Sequence, residues 1–273
     1  MEGILYAVLV LGVMGLVFGL VLAVASRIFA VKTDERLEPL VEALPGANCG
    51  GCGFSGCSAY AQAVLDGKAK VGLCAAGGDA ATQQMAKVLG IEAETAQRQV
   101  ALVKCSGYDA KVKGYYDGLH DCLAATKVAG RGPLVCKYGC LGFGTCLSAC
   151  KFDAIHIENG RAKVDPEKCT GCMACAKVCP RNVIVPVPYS ADIVVACNSK
   201  SKGPATLRGC DVGCVGCSKC EQVCSYDAIH VEGNLAMIDY DKCVSCGLCA
   251  DACPRHLISD SNLRHDMDLV APR

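Results

Sequence analysis

Tryptophan is absent from this sequence, and phenylalanine and tyrosine together reach only 5%. A chain of 273 residues so poor in large rings cannot rest on one broad aromatic core. An excess of charge of either sign is missing too, since Lys+Arg and Asp+Glu each number 27. That balance points to no nucleic-acid partner. No G-x-G-x-x-G fingerprint follows a strand pattern, so a dinucleotide site of that type is excluded. No acid–base constellation of catalytic type appears either. What is abundant is cysteine, with 24 residues, and glycine, with 30. Glycine suits tight turns that expose backbone N–H groups.

Sixteen of the cysteines fall into four consecutive four-cysteine runs. The clearest are Cys169-x2-Cys172-x2-Cys175-x3-Cys179-Pro180 and Cys243-x2-Cys246-x2-Cys249-x3-Cys253-Pro254. This is the bacterial [4Fe–4S] spacing, in which three thiolates hold one cluster and the fourth reaches the neighbouring one. A secreted disulfide framework and structural zinc are the competing readings. Neither calls for a third cysteine two residues beyond a C-x2-C pair. The chemistry is therefore electron transfer.

The segment from Gly3 to Ala25 runs 23 residues without a charge. As a helix it spans roughly 35 Å, enough for a bilayer core. Ala23-Val24-Ala25 resembles a signal-peptide cleavage site, but a positive n-region is lacking and the apolar run is long. Arg27, Lys32 and Arg36 follow it, placing the N-terminus outside and the rest in the cytoplasm. Gly15-x3-Gly19 is a small-x3-small pattern that allows close packing on another membrane helix.

Beyond the anchor, Cys49, Cys52, Cys57 and Cys74 form a compact glycine-rich set expected to hold one [4Fe–4S] cluster, with zinc as the alternative. Ser58 to Leu65 reads as a short helix, and a longer one is expected from Gly77-Gly78-Asp79 to about residue 100. The C-terminal part repeats with an offset of 74 residues, Cys150-KFDAIHIENGRAKVDPEKC matching Cys224-SYDAIHVEGNLAMIDYDKC without gaps. Each unit reads as cysteine run, β-hairpin, cysteine run. The hairpins alternate around Asn159-Gly160 and Gly233-Asn234. His156 and His230 share a hairpin position and are read as tuning a nearby site or facing solvent.

The spacing pairs Cys214, Cys217 and Cys220 with Cys253, and Cys243, Cys246 and Cys249 with Cys224. It likewise pairs Cys169, Cys172 and Cys175 with Cys150. The remaining set, Cys140, Cys146 and Cys179, lacks a fourth thiol, because Phe143 in GCLGFGTC stands where the repeat has Cys217. Cys136 is the expected replacement, with Cys210 as the other possibility. Cys105, Cys122, Cys197 and Cys210 are left over, and Cys122 and Cys197 are nearly equivalent by count in the repeat. They read either as buried free thiols or as a sixth cluster built across the two units. Five [4Fe–4S] clusters are thus expected, six if that last set closes. The basic stretch Lys200 to Arg208 reads as a solvated loop or as a surface steering an acidic partner.

The expected fold is α+β. A transmembrane anchor (1–30) precedes a mainly helical [4Fe–4S] module (31–100) and a cysteine-containing connector (101–135). A ferredoxin-like unit (136–190), a second connector (191–213), a second ferredoxin-like unit (214–260) and a tail (261–273) complete it.

The anchor, the CGGCGFSGC…C module, the GCLGFGTC loop and the two following units together resemble the B subunit of the Rnf complex, over nearly the whole chain. The CGGCGFSGC module also resembles the iron–sulfur domain of corrinoid proteins. The Rnf resemblance implies a membrane complex that oxidises reduced ferredoxin, reduces NAD+ and exports Na+ or H+. Its B subunit is implied to take electrons from soluble ferredoxin and pass them inward. The ferredoxin-like units would be the receiving end and the Cys49–Cys74 site the delivering end. Other membrane and flavin- or NAD-binding subunits, and membrane lipid, are implied partners. A related complex that reduces a redox-sensing regulator would use the same type of chain.

Overall fold

A computed structural model describes residues 2–28, 34–92, 97–107, 111–114, 116 and 118–260. Helix α1 (Glu2–Ile28) has 27 residues, about 40 Å at 1.5 Å per residue. Its Leu9–Ser26 stretch is apolar enough to cross a membrane. Leu9, Leu11, Leu16, Phe18 and Leu22 are exposed rather than packed on the rest of the chain. A helix apolar on all sides requires a non-aqueous surrounding. Of the expected positive flank, Lys32 lies outside the described residues, as does the tail 261–273, and Arg36 is held by Asp34 at 2.7 Å.

Helices α2 (Leu37–Glu42), α3 (Cys57–Leu65) and α4 (Gly78–Leu89) form a small helical module. Leu40, Leu44, Tyr60, Ala61, Val64 and Met85 fill its core. The fully buried Tyr60 donates to the Lys70 carbonyl at 2.9 Å and accepts from the Leu73 N–H at 3.1 Å. Those bonds fix the loop that leads to Cys74. Helix α4 ends well before residue 100, because Gly90 takes φ +69°, a left-handed helix stop.

Strand β1 (Gln99–Val103) follows, then α5 (Cys122–Lys127), α6 (Thr145–Ala149), β2 (Ile155–Glu158), β3 (Arg161–Val164), α7 (Ala174–Lys177) and β4 (Ile184–Pro188). Next come β5 (Ile193–Val195), α8 (Gly203–Gly209), α9 (Lys219–Gln222), β6 (Ile229–Glu232), β7 (Leu235–Ile238), α10 (Leu248–Asp251) and β8 (Ile258–Asp260). The described strands make four antiparallel pairs: β1 with β4, β2 with β3, β5 with β8, and β6 with β7.

Both hairpins turn where the sequence placed them. Asn159 and Gly160 have φ of 47° and 73°, and Gly233 and Asn234 have 55° and 66°. Two successive positive φ values match the right-handed twist of the flanking strands. Glu158 pairs with Arg161, and Glu232 with Leu235.

Strands β1 and β5 were not expected, since 101–135 and 191–213 read as connectors. Each is a short apolar run buried on both faces, and such a run carries no period-2 signature. Each precedes a hairpin and pairs with a strand that follows it, so two halves of like layout result. From Cys105 to Cys140 is 35 residues, but from Cys197 to Cys214 only 17, and the excess contains α5. Each half has its own core, of small aliphatic side chains and thiols.

Candidate iron–sulfur sites

The structure places the 24 cysteines in six neighbourhoods of four thiols each. In the helical module, Asn48 accepts from the Cys57 N–H at 2.8 Å, starting α3 beside the Cys49–Cys52 loop. A Cβ at Gly56 would sit 2.7 Å from Asn48 Oδ1, so a side chain there would push Asn48 away from the Cys57 N–H. Cys49, Cys52 and Cys57 surround Cys74, whose thiol is pushed up by burial first, against a Gly77 N–H, and then by those neighbours. This is the first group.

In the first half, Cys150, Cys169 and Cys172 surround Cys175, which burial pushes up to about 11. The Ala101 N–H of β1 donates to Cys169 Sγ at 3.4 Å. This second group joins the residues that the spacing had paired.

The third group differs from expectation. Cys140, Cys146 and Cys179 line one small cleft with Cys122, not with Cys136. Asp121 explains how Cys122 arrives there. Its carboxylate caps α5 through the Ala124 N–H at 2.7 Å and accepts from the Thr145 hydroxyl at 2.6 Å. Thr145 in turn accepts from the Cys122 N–H at 2.8 Å, which sets Cys122 beside α6 and Cys146. Phe143 packs against the cluster of Cys122, Ala125 and Leu141. The residue that cannot ligate thus supports the helix that supplies the thiol. Cys140 is pushed up to about 12 by burial, against an Ala162 N–H that meets its sulfur at 3.4 Å.

Cys136 instead joins Cys105, Cys197 and Cys210 around a cavity of about 320 Å³ between the halves. This fourth group also departs from expectation, which had placed Cys122 there. Strands β1 and β5 show the reason. Cys105 stands two residues after β1 and Cys197 two residues after β5, so these two are equivalent, and Cys136 matches Cys210. Counting back 74 residues from Cys197 landed near Cys122 only because of the longer loop. The Ser106 N–H bonds to the Ala196 carbonyl across the halves at 3.0 Å. Cys197 Sγ accepts from the Ser199 and Cys214 N–H groups, both at 3.4 Å. Burial pushes the Cys197 thiol up to about 11. Arg181 donates to the Lys137 and Arg131 carbonyls, and Arg255 to the Cys210 carbonyl at 3.1 Å, so matching arginines pin both loops.

In the second half, Cys214, Cys217, Cys220 and Cys253 line a cleft of about 20 Å³ as the fifth group. Cys224, Cys243, Cys246 and Cys249 line the sixth. Cys217 and Cys246 are the two exposed thiols. His156 is exposed, while His230 sits 3.4 Å from Glu221 and 3.1 Å from the Asp227 carbonyl.

Among the described residues, no three Cys, His, Asp or Glu side chains converge on a point that could hold one metal ion. The groups are lined by sulfur and approached by backbone N–H donors, the donor chemistry that suits an iron–sulfur cluster.

Adjacent groups form an unbroken succession. A Cβ at Gly51, in the first group, would lie 2.9 Å from Cys172 Cβ in the second. Lys151 and Lys177 clamp that contact, donating to the Asn48 and Gly50 carbonyls at 3.0 Å. Cys175 of the second group lies close enough to act on the Cys146 thiol of the third. Cys105 of the fourth acts on Cys140 of the third, and the Cys214–Cys197 bond links fifth to fourth. The fifth and sixth groups share one core.

The description "Putative Fe-S cluster" belongs to the family model matching residues 44–75. A "4Fe-4S binding domain" matches 162–185 and 236–259, and another of that description matches 214–228. The B subunit of the Na+-translocating ferredoxin:NAD+ oxidoreductase complex of Acetobacterium woodii is 44% identical, covering 95% of this chain and 78% of that protein. The chain belongs to the B-subunit family of ion-translocating ferredoxin:NAD+ oxidoreductases, the Rnf complexes. The corresponding chain of the proton-translocating complex of Clostridium ljungdahlii is also 44% identical, over 93% of this chain and 91% of that protein. That of the ion-translocating complex of Methanosarcina acetivorans is 37% identical, over 92% and 96%. Members of the Rnf family are thus named for either ion. Iron–sulfur domains and an apolar N-terminal helix together fit an electron-transport chain component associated with a membrane.

Proposed function

We propose that this Rnf protein holds six [4Fe–4S] clusters, one on each four-thiol group, and relays electrons from reduced ferredoxin toward the membrane subunits of its complex. That complex reduces NAD+ and drives Na+ or H+ export, with NAD handled by another subunit. The carrying observation is the succession of adjacent thiol groups running from the module next to α1 to the far half. The two halves act as tandem ferredoxin-like units, the helical module as the delivering end, and α1 as a single-pass anchor with the N-terminus outside and the cysteines in the cytoplasm.

A bound cluster supplies one-electron storage with no transfer of atoms. The protein supplies the rest. Thiolates from Cys122 and Cys179 close the third group, and Cys105, Cys136, Cys197 and Cys210 form the bridge between halves. N–H donors at Ala101, Ala162, Ser199, Cys214 and Ala228 point at sulfur, which favours the negative charge of a thiolate. Burial keeps water away from most of these sulfurs. The same burial raises the Cys140 and Cys197 thiols, so loading them releases protons and couples metal binding to folding.

The test is anaerobic stopped-flow mixing of the full-length, cluster-loaded chain in detergent with reduced ferredoxin. Bleaching of visible absorbance is the expected result. Clusters that dithionite reduces but ferredoxin does not would rule out ferredoxin as the donor.

A further inference from the structure

We infer that the rim of the bridging fourth group is the docking site of an acidic one-electron carrier protein. This rests on the relay reading above, and it names where the donor binds. Lys104, Lys137 and Arg208 line the cavity that holds Cys105, Cys136, Cys197 and Cys210. Lys200 and Lys202 flank it, and Lys137, Lys200, Lys202 and Arg208 are exposed. None of the five makes an ion pair with a described carboxylate. Between Cys197 and Cys214 Asp211 is the single acidic residue, and between Cys122 and Cys150 there is none. Among the described residues, positive charge without a carboxylate partner therefore surrounds the one thiol group that opens between the two halves.

The rival surface is the far tip, where Cys246 is exposed beside the apolar Tyr226, Val244 and Leu248. Its charge argues against an acidic visitor. Between Ser218 and Cys253 there are six carboxylates, Glu221, Asp227, Glu232, Asp239, Asp241 and Asp251, against Lys219 and Lys242. Lys242 is already paired with Asp227 at 3.0 Å. An acidic carrier is drawn to the middle of the succession and repelled from its end. The fifth and sixth groups then lie beyond the point of arrival, on the side away from α1.

The test measures binding of an oxidised acidic ferredoxin to the full-length, cluster-loaded chain in detergent, at low and high salt. Zero-length carbodiimide cross-links are mapped alongside. Lys137→Glu with Arg208→Glu, and separately Lys200→Glu with Lys202→Glu, are each expected to weaken binding about tenfold or more at low salt. The gap should close at high salt. Cross-links should fall on Lys137, Lys200 or Lys202. Val244→Asp with Leu248→Asp at the tip should change affinity less than about twofold. The pair at Lys200 and Lys202 guards against cluster loss next to Cys136, and iron content is checked in all variants. Unchanged binding in both basic-rim variants, or cross-links confined to Lys219 and Lys242, would overturn the assignment. A parent chain that ferredoxin reduces while these variants bind normally refutes the docking site alone. A parent that neither binds nor is reduced refutes the relay reading itself.

Discussion

Cys122 and Cys136 have exchanged the places that spacing predicts, and their substitution separates the two arrangements. Cys122→Ala should lose the cluster of Cys140, Cys146 and Cys179, about four irons of about 24. The buried methylene-sized group removed costs only about 1 kcal/mol, too little to unfold a domain, so iron loss would report on ligation. Position 143 of GCLGFGTC matches Cys217 of the other half, and Phe143 already packs against Cys122. Phe143→Cys should therefore return the lost irons to Cys122→Ala. Cys136→Ala should also lose about four irons, but from the bridging group, and Phe143→Cys should not restore them. Iron and sulfide analysis counts the clusters, and electron paramagnetic resonance after dithionite reduction separates them. Electron arrival at the Cys49–Cys74 site should slow severely in both single variants, because each empties one link of the succession. Rescue of Cys136→Ala by Phe143→Cys, with full iron in Cys122→Ala, would refute this reasoning.

Three further outcomes follow from named contacts. Gly142 has φ +76°, and a Cβ there would meet the Gly160 carbonyl oxygen at 2.1 Å. Gly142→Ala should destabilise the first half by about 2–5 kcal/mol in denaturant titration, from overpacking plus the left-handed penalty. The equivalent Gly216→Ala meets Asn234 Cα at 3.0 Å and should cost less. Tyr60→Phe leaves the Leu73 N–H and Lys70 carbonyl without their partner. A loss of about 1–3 kcal/mol is expected, with faster bleaching in air of the Cys49–Cys74 cluster alone. Stripping iron with a chelator and oxidant should abolish cooperative thermal unfolding of both halves, read by circular dichroism, because their cores are built around the thiols.

Sequence reading reached furthest where local chemistry and spacing coincide. Asn159-Gly160 announces its hairpin because only small or amide residues accept two positive φ values in succession. Cys169, Cys172 and Cys175 are brought to one centre by a single turn and α7, so their spacing carries their geometry. Strands β1 and β5 were hidden because a run such as Val100–Val103, buried throughout, has no alternation to detect. Without them, Cys105 could not be matched to Cys197, and the extra residues before Cys140 went unnoticed. A search for the shared pattern of apolar strand, one residue, then cysteine would have exposed the match. The reach of Asp121 to Thr145 depends on two loops meeting, and no local signal records it.

The bridging group also sets an order on biosynthesis. Two of its thiols, Cys105 and Cys136, belong to the part of the chain made first, and the other two, Cys197 and Cys210, to the part made last. The helical module and the second group can be complete once Cys175 has left the ribosome, whereas Cys105 must wait half-liganded until Cys210 appears. On the six-cluster proposal, filling this site would be a late event in maturation and would tie the two halves together. A chain arrested before Cys197 would keep its earlier sites yet carry an open pair of thiols, marking it as unfinished to the machinery that delivers iron and sulfur.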